Sequence, residues 1–300
     1  MKLNSNTLIT ALFFLALKVG FSQFEKVVYT GFIQTIDSAV FPYQINISRI
    51  GNSISGYSIS DRGGKSETKS EFEILKSGQN YIFKENKIVY TKADYSSFDD
   101  FCLVSFYLRE KEIFNSNKLS LDFKGLFSDG SACIDGSITL VNNEFIEKRL
   151  DRIENKISNN RIIQKKFGDT IKKIEKKIDD LKKDFVSNKE VSLLKDDKLK
   201  FNIYESYKVY IADFGFYDND KISIEINDNT SNEVIITEKR KYFSIDKKQR
   251  KNIIKITGMD FGEVPPITAQ IVIENLSKKT LHKIELSLMP KESCEIELIF

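Results

Sequence analysis

Along most of this chain apolar residues fall at every second position. Along one internal stretch, residues 143–189, they fall every third or fourth. The stripe there runs Ile146, Leu150, Ile153, Ile157, Asn160, Gln164, Phe167, Ile171, Ile174, Ile178, Leu181 and Phe185, in steps of four and three, with Asn160 and Gln164 as its polar members. A helix needs that spacing to keep one seam against a partner. No proline interrupts it, so the pattern predicts one long α-helix, about 60 Å long if continuous at about 1.5 Å per residue. Three arrangements would cover the seam. In a parallel coiled coil between copies, an Asn160/Gln164 layer would fix the register. The helix could also pack on the protein's own β-domains or on another protein, or fold back as a hairpin near Ser158-Asn159-Asn160. The unbroken phase across Asn160 argues against the hairpin, because a turn would usually reset it. The stretch is rich in Lys and Arg, and that face reads as solvated.

On either side the period is two. Tyr43-Gln44-Ile45-Asn46-Ile47-Ser48 alternates as a strand with one solvated face should. Turn signals follow at Ile50-Gly51-Asn52-Ser53 and Asp61-Arg62-Gly63-Gly64, and further short runs continue to residue 142. Eight or nine such strands predict a small antiparallel β-barrel or sandwich over residues 23–142. The helical stalk then occupies 143–198. Alternation returns over 199–300 with turns at Asp218-Asn219-Asp220 and Asn227-Asp228-Asn229, which reads as an immunoglobulin-like β-sandwich. The expected fold class is therefore mainly β with one long α-helix.

Residues 1–22 have the form of a secretory signal peptide: Lys2, the apolar run Leu8-Ile9-Thr10-Ala11-Leu12-Phe13-Phe14-Leu15-Ala16-Leu17, and small residues at Gly20 and Ser22 before Gln23. The run is shorter than the roughly 20 residues a spanning helix requires. The expectation is an exported protein, in the periplasm or at the cell surface, with no transmembrane segment in the mature chain. Its formal charge is +3. Removing Lys2 and Lys18 with the leader leaves it near neutral, which excludes nucleic acid as the default partner. In an oxidising compartment Cys102 and Cys133 are candidates for a disulfide, and Cys294 is left over.

Little else carries chemistry. The single histidine, His282, sits in a strand pattern with no nucleophile elbow in the chain. Gly64-Lys65-Ser66 imitates the end of a phosphate-binding loop, but Ile59 stands where the motif needs glycine. No catalytic residue, cofactor or metal-ligand set is assigned. Asp213, Asp218 and Asp220 are the candidates for a hard cation such as Ca²⁺. They lack EF-hand spacing, and turn formation explains them as well. Tyr95, Phe98 and Phe101 place three rings in one loop before Cys102 and are candidates for stacking on a sugar or a partner.

Two stretches carry a resemblance. One runs Asp213-Phe214-Gly215-Phe216-Tyr217-Asp218-Asn219-Asp220 into the strand Lys221-Ile222-Ser223-Ile224-Glu225-Ile226-Asn227; the other runs from Asn252 through Pro265-Pro266-Ile267-Thr268-Ala269. In order and spacing they resemble a secreted β-sandwich module of uncharacterised exported proteins of Bacteroidota, departing from it at residues 258–261 and at Ile267. The resemblance implies a fold and a compartment, and no activity. The N-terminal segment resembles lipocalin-type and other small barrels in strand count and Gly-Tyr placement.

Together these readings give a non-enzymatic structural or interaction protein. It would be an accessory subunit of a cell-envelope or outer-membrane assembly, with protein partners there and homo-oligomerisation through the helix spacing its β-domains. The alternative is a small-ligand or glycan-binding protein that uses the N-terminal β-domain.

Overall fold

A computed structural model describes residues 24–300 except 96, 159–172, 175, 180–181, 183–190, 204–205, 215–217, 228, 238, 246–249 and 276–279. The expected signal peptide lies outside the described residues.

The first eight strands are β1 (Phe24–Thr35), β2 (Val40–Ile50), β3 (Ser53–Ser60), β4 (Thr68–Ser77), β5 (Asn80–Thr91), β6 (Leu103–Arg109), β7 (Lys118–Leu126) and β8 (Ala132–Asn142). Each pairs antiparallel with the next, and β8 returns to β1. This is a closed up-and-down barrel, which leaves no exposed edge inside the ring. Inward positions follow the alternation: Tyr43, Ile45 and Ile47 on β2, and Tyr81 and Phe83 on β5, are buried. Phe83 stacks on Phe106 at 5.3 Å between centroids, and Phe72 meets both rings edge-on. One end is closed by the short helix α1 (Glu110–Ile113), whose Ile113 is fully buried. The Tyr29 hydroxyl donates to the carbonyls of Ile113 at 3.1 Å and Ser116 at 2.9 Å, tying that plug to β1.

Gln44 and Asn46 correct the expectation of a solvated outer face. Both are buried, although they alternate with the inward residues of β2. An outer barrel wall that carries neighbouring structure is not exposed merely because it points away from the core.

Helix α2 (Asn143–Ser158) follows β8 directly, with the Glu144 N–H held at 2.9 Å by the Asn142 side chain. It is 16 residues long. Residues 173, 174, 176–179 and 182 are helical again. Lys182 Nζ lies 2.7 Å from Asp151 Oδ1 and 2.6 Å from Glu154 Oε2. In one continuous helix residues 151 and 182 would stand about 46 Å apart. The chain has therefore folded back, and the single long helix and the parallel coiled coil are both excluded. Along the expected seam, Ile178 is buried and Ile146, Leu150 and Ile157 are half-buried, while Ile153 and Ile174 are exposed. Asn160, Gln164, Phe167, Ile171, Leu181 and Phe185 lie outside the described residues. The physical reason is that a heptad stripe records only that a helix face wants cover. An antiparallel return within one chain satisfies the same spacing as a parallel partner.

The last ten strands are β9 (Val191–Leu193), β10 (Lys198–Asn202), β11 (Tyr207–Asp213), β12 (Lys221–Ile226), β13 (Asn229–Ile235), β14 (Lys241–Ser244), β15 (Lys251–Asp260), β16 (Ile267–Asn275), β17 (Thr280–Leu288) and β18 (Ser293–Ile299). They form two five-stranded sheets, β13-β12-β15-β18-β10 and β14-β11-β16-β17-β9, around one apolar core. The sandwich is present, but its wiring is not that of an immunoglobulin domain. There the last two strands are neighbours in one sheet; here β17 and β18 lie in different sheets. Strand β10 also pairs with β5, Phe201 opposite Tyr90 and Lys200 opposite Thr91, so one sheet of the sandwich continues into the barrel wall.

Candidate functional site

The end of the barrel away from α1 holds a cavity of about 290 Å³. Its position follows from how β5 leaves the ring. The β5–β6 ladder runs from Asn80↔Arg109 to Lys84↔Ser105. The β4–β5 register then shifts between Glu71 and Phe72, opposite Glu85 and Lys87. Beyond this bulge β5 turns to β10. A bulge of this kind bends a strand and opens the pairing beside it. The gap leaves the Val104 N–H without a strand partner, and it donates to Glu85 Oε2 at 2.8 Å.

Glu85 is the centre of the cavity floor. Its Oε1 accepts from the Tyr43 hydroxyl at 2.8 Å and from the Ser58 hydroxyl. Burial raises the carboxyl pKa, and the three donors pull it back only in part. Burial beside Glu85 also drives the Tyr43 phenol well above its ordinary range. The walls supply hydroxyls from Thr35, Ser60, Ser66 and Thr68, and rings from Phe41, Phe101, Tyr95 and Phe123. Asp61 is the second acid, with Oδ2 accepting from the Ser66 N–H at 2.9 Å.

The covering loop is held from two directions. Cys102 and Cys133 form the expected disulfide, joining the loop's exit to the start of β8. Gly125 makes room for it, because a Cβ there would lie 2.5 Å from Cys102 Sγ. From the sandwich, Lys200 Nζ reaches Asp94 Oδ1 and the Tyr95 carbonyl. Of the three loop rings, Phe101 is buried against Tyr95, with centroids 3.7 Å apart, and Tyr95 remains partly exposed. The Phe98 side chain lies outside the described residues.

Two larger clefts are less site-like. One of about 580 Å³ runs outside the barrel, where Arg62, Glu67, Tyr90 and Lys92 approach Ser192 and Leu194. Another of about 480 Å³ lies along Gln34, Tyr107, Asp122 and Lys124 on the outer wall. The first also gathers buried polar groups, with Glu67 accepting from the Tyr90 hydroxyl at 2.8 Å, but of the three only the mouth joins a buried acid to a disulfide-held aromatic loop. We therefore give the smaller cavity precedence on chemistry.

The remaining sequence candidates fall elsewhere. His282 is half-buried with its ring 4.3 Å from Phe201, and burial pushes its pKa down to about 4. Cys294 is a buried free thiol pushed up to about 12 by the same cause, so it is not a poised nucleophile. Residues 61–66 form a turn fastened by Asp61, not a phosphate loop. Asp213, Asp218 and Asp220 come together at one end of the sandwich core. Glu85 had not been singled out. Its signal was its phase, because Tyr81, Phe83 and Glu85 share the inward face of β5. Among the described residues no helix is long and apolar enough to cross a membrane. No family model, no curated protein and no solved structure matches this chain.

Proposed function

We propose that this chain is an exported, non-enzymatic binding protein whose N-terminal barrel holds a small polar organic ligand in its open mouth. The observation that carries this reading is the cavity itself: a buried carboxylate with three inward donors, a wall of hydroxyls, and a ring-bearing loop clamped by a disulfide and by Lys200. The volume is at the lower end of small-molecule sites, about 300–1,000 Å³. Hydroxyls beside aromatic faces suit a single sugar-like unit better than a lipid tail, because a polar ligand meets hydrogen-bonding groups on the wall and a ring for its apolar face. The disulfide supports an oxidising compartment. The reading as an assembly subunit with spaced heads depended on a stalk that the fold does not have.

Native mass spectrometry of protein purified from its own source tests this. A stoichiometric bound small molecule, lost on replacing Phe101 with Ala, is the expected result. A clean ligand-free mass, together with no binding across a panel of mono- and disaccharides, would overturn it.

A further inference from the structure

The barrel mouth is unevenly supplied with hydrogen-bonding groups, because most of its donors are spent inside the protein. The Tyr43 hydroxyl and the Val104 N–H both go to Glu85, each at 2.8 Å, and the Ser66 N–H goes to Asp61 Oδ2 at 2.9 Å. Thr35 Oγ1 is turned towards Asp37 and the Ala39 carbonyl. Thr68 Oγ1 donates to the Ser66 carbonyl at 2.9 Å, and Ser60 Oγ reaches the Thr68 carbonyl at 3.4 Å. Among the described lining residues, the hydroxyls of Ser66 and Tyr95 are the side-chain donors left outside this network.

What remains to the lining is acceptor capacity. A carboxylate accepts and never donates, and a hydroxyl whose proton is committed keeps lone pairs. Asp61 and Glu85 line the cavity together with the hydroxyl oxygens of Thr35, Ser60 and Thr68. Three donors occupy Glu85, of the roughly four positions that a carboxylate offers. The charges are as one-sided as the hydrogen bonds. Among the described lining residues there is no Lys, Arg or His. Glu85 is 5% exposed, and burial raises its carboxyl pKa. That rise reflects what one negative charge costs in this place, and a second would enter with no base to offset either.

We infer that the mouth takes an uncharged, hydroxyl-rich ligand, a sugar or polyol that donates hydrogen bonds, and that Asp61 and Glu85 are the specificity residues that refuse its acidic counterparts, uronic acids and sugar phosphates. This rests on the reading of the mouth as a ligand site and adds to it the polarity of the ligand. A neutral sugar brings a proton on each hydroxyl to oxygens that lack one. An anion brings acceptors to acceptors and a charge beside charges. The rejection then comes from polar groups left unpaired, which discriminates more strongly than shape in a small pocket. The rings of Phe41, Tyr95 and Phe101 serve the apolar face of either kind of ligand and do not distinguish them.

The test is calorimetric titration of the full mature chain with glucose, galactose and mannose, each beside its uronate and its 6-phosphate. At least one neutral sugar should bind, and its uronate and 6-phosphate should bind at least about tenfold more weakly. Deoxyfluoro analogues of that sugar keep its size and lose one donor each, and at least one of them should bind about tenfold more weakly. Asp61→Asn keeps an acceptor for the Ser66 N–H and suits the positive φ of 49° at this position. It should narrow the gap between sugar and uronate, and Glu85→Gln serves if that variant folds poorly. The inference fails, with the site reading intact, if an acidic sugar binds as tightly as its neutral parent, if no fluorinated analogue is weakened, or if both variants leave the gap unchanged. If none of these sugars binds, the inference falls, and with a ligand-free native mass the reading of the site falls with it.

Discussion

Lys200, in the sandwich strand β10, places its ammonium 3.1 Å from Asp94 Oδ1, at the start of the loop that covers the barrel mouth. The same nitrogen lies 3.1 Å from the Tyr95 carbonyl. Lys200 is nearly buried, whereas the Asp94 side chain is open to solvent. Exposure of one partner makes the pair weak as a stability element. Its effect is positional: it makes the sandwich a support for the mouth of the barrel. Lys200→Met keeps the packing and removes the grip. We expect faster amide exchange over residues 94–101, little change in Tm, and faster ligand release. Unchanged exchange in the loop would show that the disulfide alone holds it. The Lys200 hydrogen bond keeps the Asp94 carboxyl below its ordinary range. The pin is therefore complete above the unfolded-state value and is lost only as pH falls through the lowered folded value.

Glu85 gives a prediction with the opposite sign. Its folded pKa is raised by burial. Its contribution is thus fully present below the unfolded value and is lost as pH rises through the folded one. Glu85→Gln removes that titration and keeps the shape. The amide still accepts through one oxygen, but its NH₂ group faces a donor. The variant should lose about 1–3 kcal/mol at low pH, where wild-type Glu85 is protonated. The gap to wild type should narrow as pH rises. Urea unfolding at several pH values measures this, and a gap that widens with pH would show that the carboxylate form is the stable one.

These two residues mark how far the sequence can be read. The inward phase of Tyr43, Ile45 and Ile47 was legible, because the pleat forces alternation wherever one face is buried. The same phase would have marked Glu85 as an inward acid. The Lys200 contact was not legible, since its partner lies 106 positions away and depends on β5 leaving the barrel to pair with β10. The parallel pairings of β9 with β17 and β10 with β18 were equally hidden, because alternation records which face a residue takes and not which strand lies beside it. At Asp213 and Asp220 the pattern was visible as acids in an apolar phase. That they approach each other across the two sheets became visible only with the fold.

The disulfide contributes through the unfolded chain. Its cysteines are 31 positions apart. Closing a loop of that length stabilises by about 3–4 kcal/mol in the chain-entropy model. Cys102→Ala with Cys133→Ala should lose about that much in urea unfolding, and reduction of the wild type should match it. Gly125→Ala tests the packing around the bond. Its Cβ would fall 2.2 Å from the Ile134 carbonyl and 2.9 Å from Cys133 Sγ, which backbone this close cannot accommodate without moving. The variant should be destabilised by at least about 1 kcal/mol with the disulfide intact. A neutral result would mean that β7 and β8 separate easily at this point.

The return of the helical segment can be checked without any knowledge of ligand or partner. Glu154 and Lys182 are joined at 2.6 Å across 28 positions. With Cys294→Ser removing the native free thiol, Glu154→Cys and Lys182→Cys should be joined within one chain by a short bis-maleimide cross-linker with a reducible spacer. Packed helices run about 8–10 Å axis to axis, a gap that such a reagent spans. The product should run as a monomer on non-reducing gels, with a mobility that shifts on reduction. In a continuous helix the two positions would be about 42 Å apart, and a cross-link could then form only between chains. A ladder of cross-linked dimers with no intramolecular product would therefore restore the rod and overturn the hairpin.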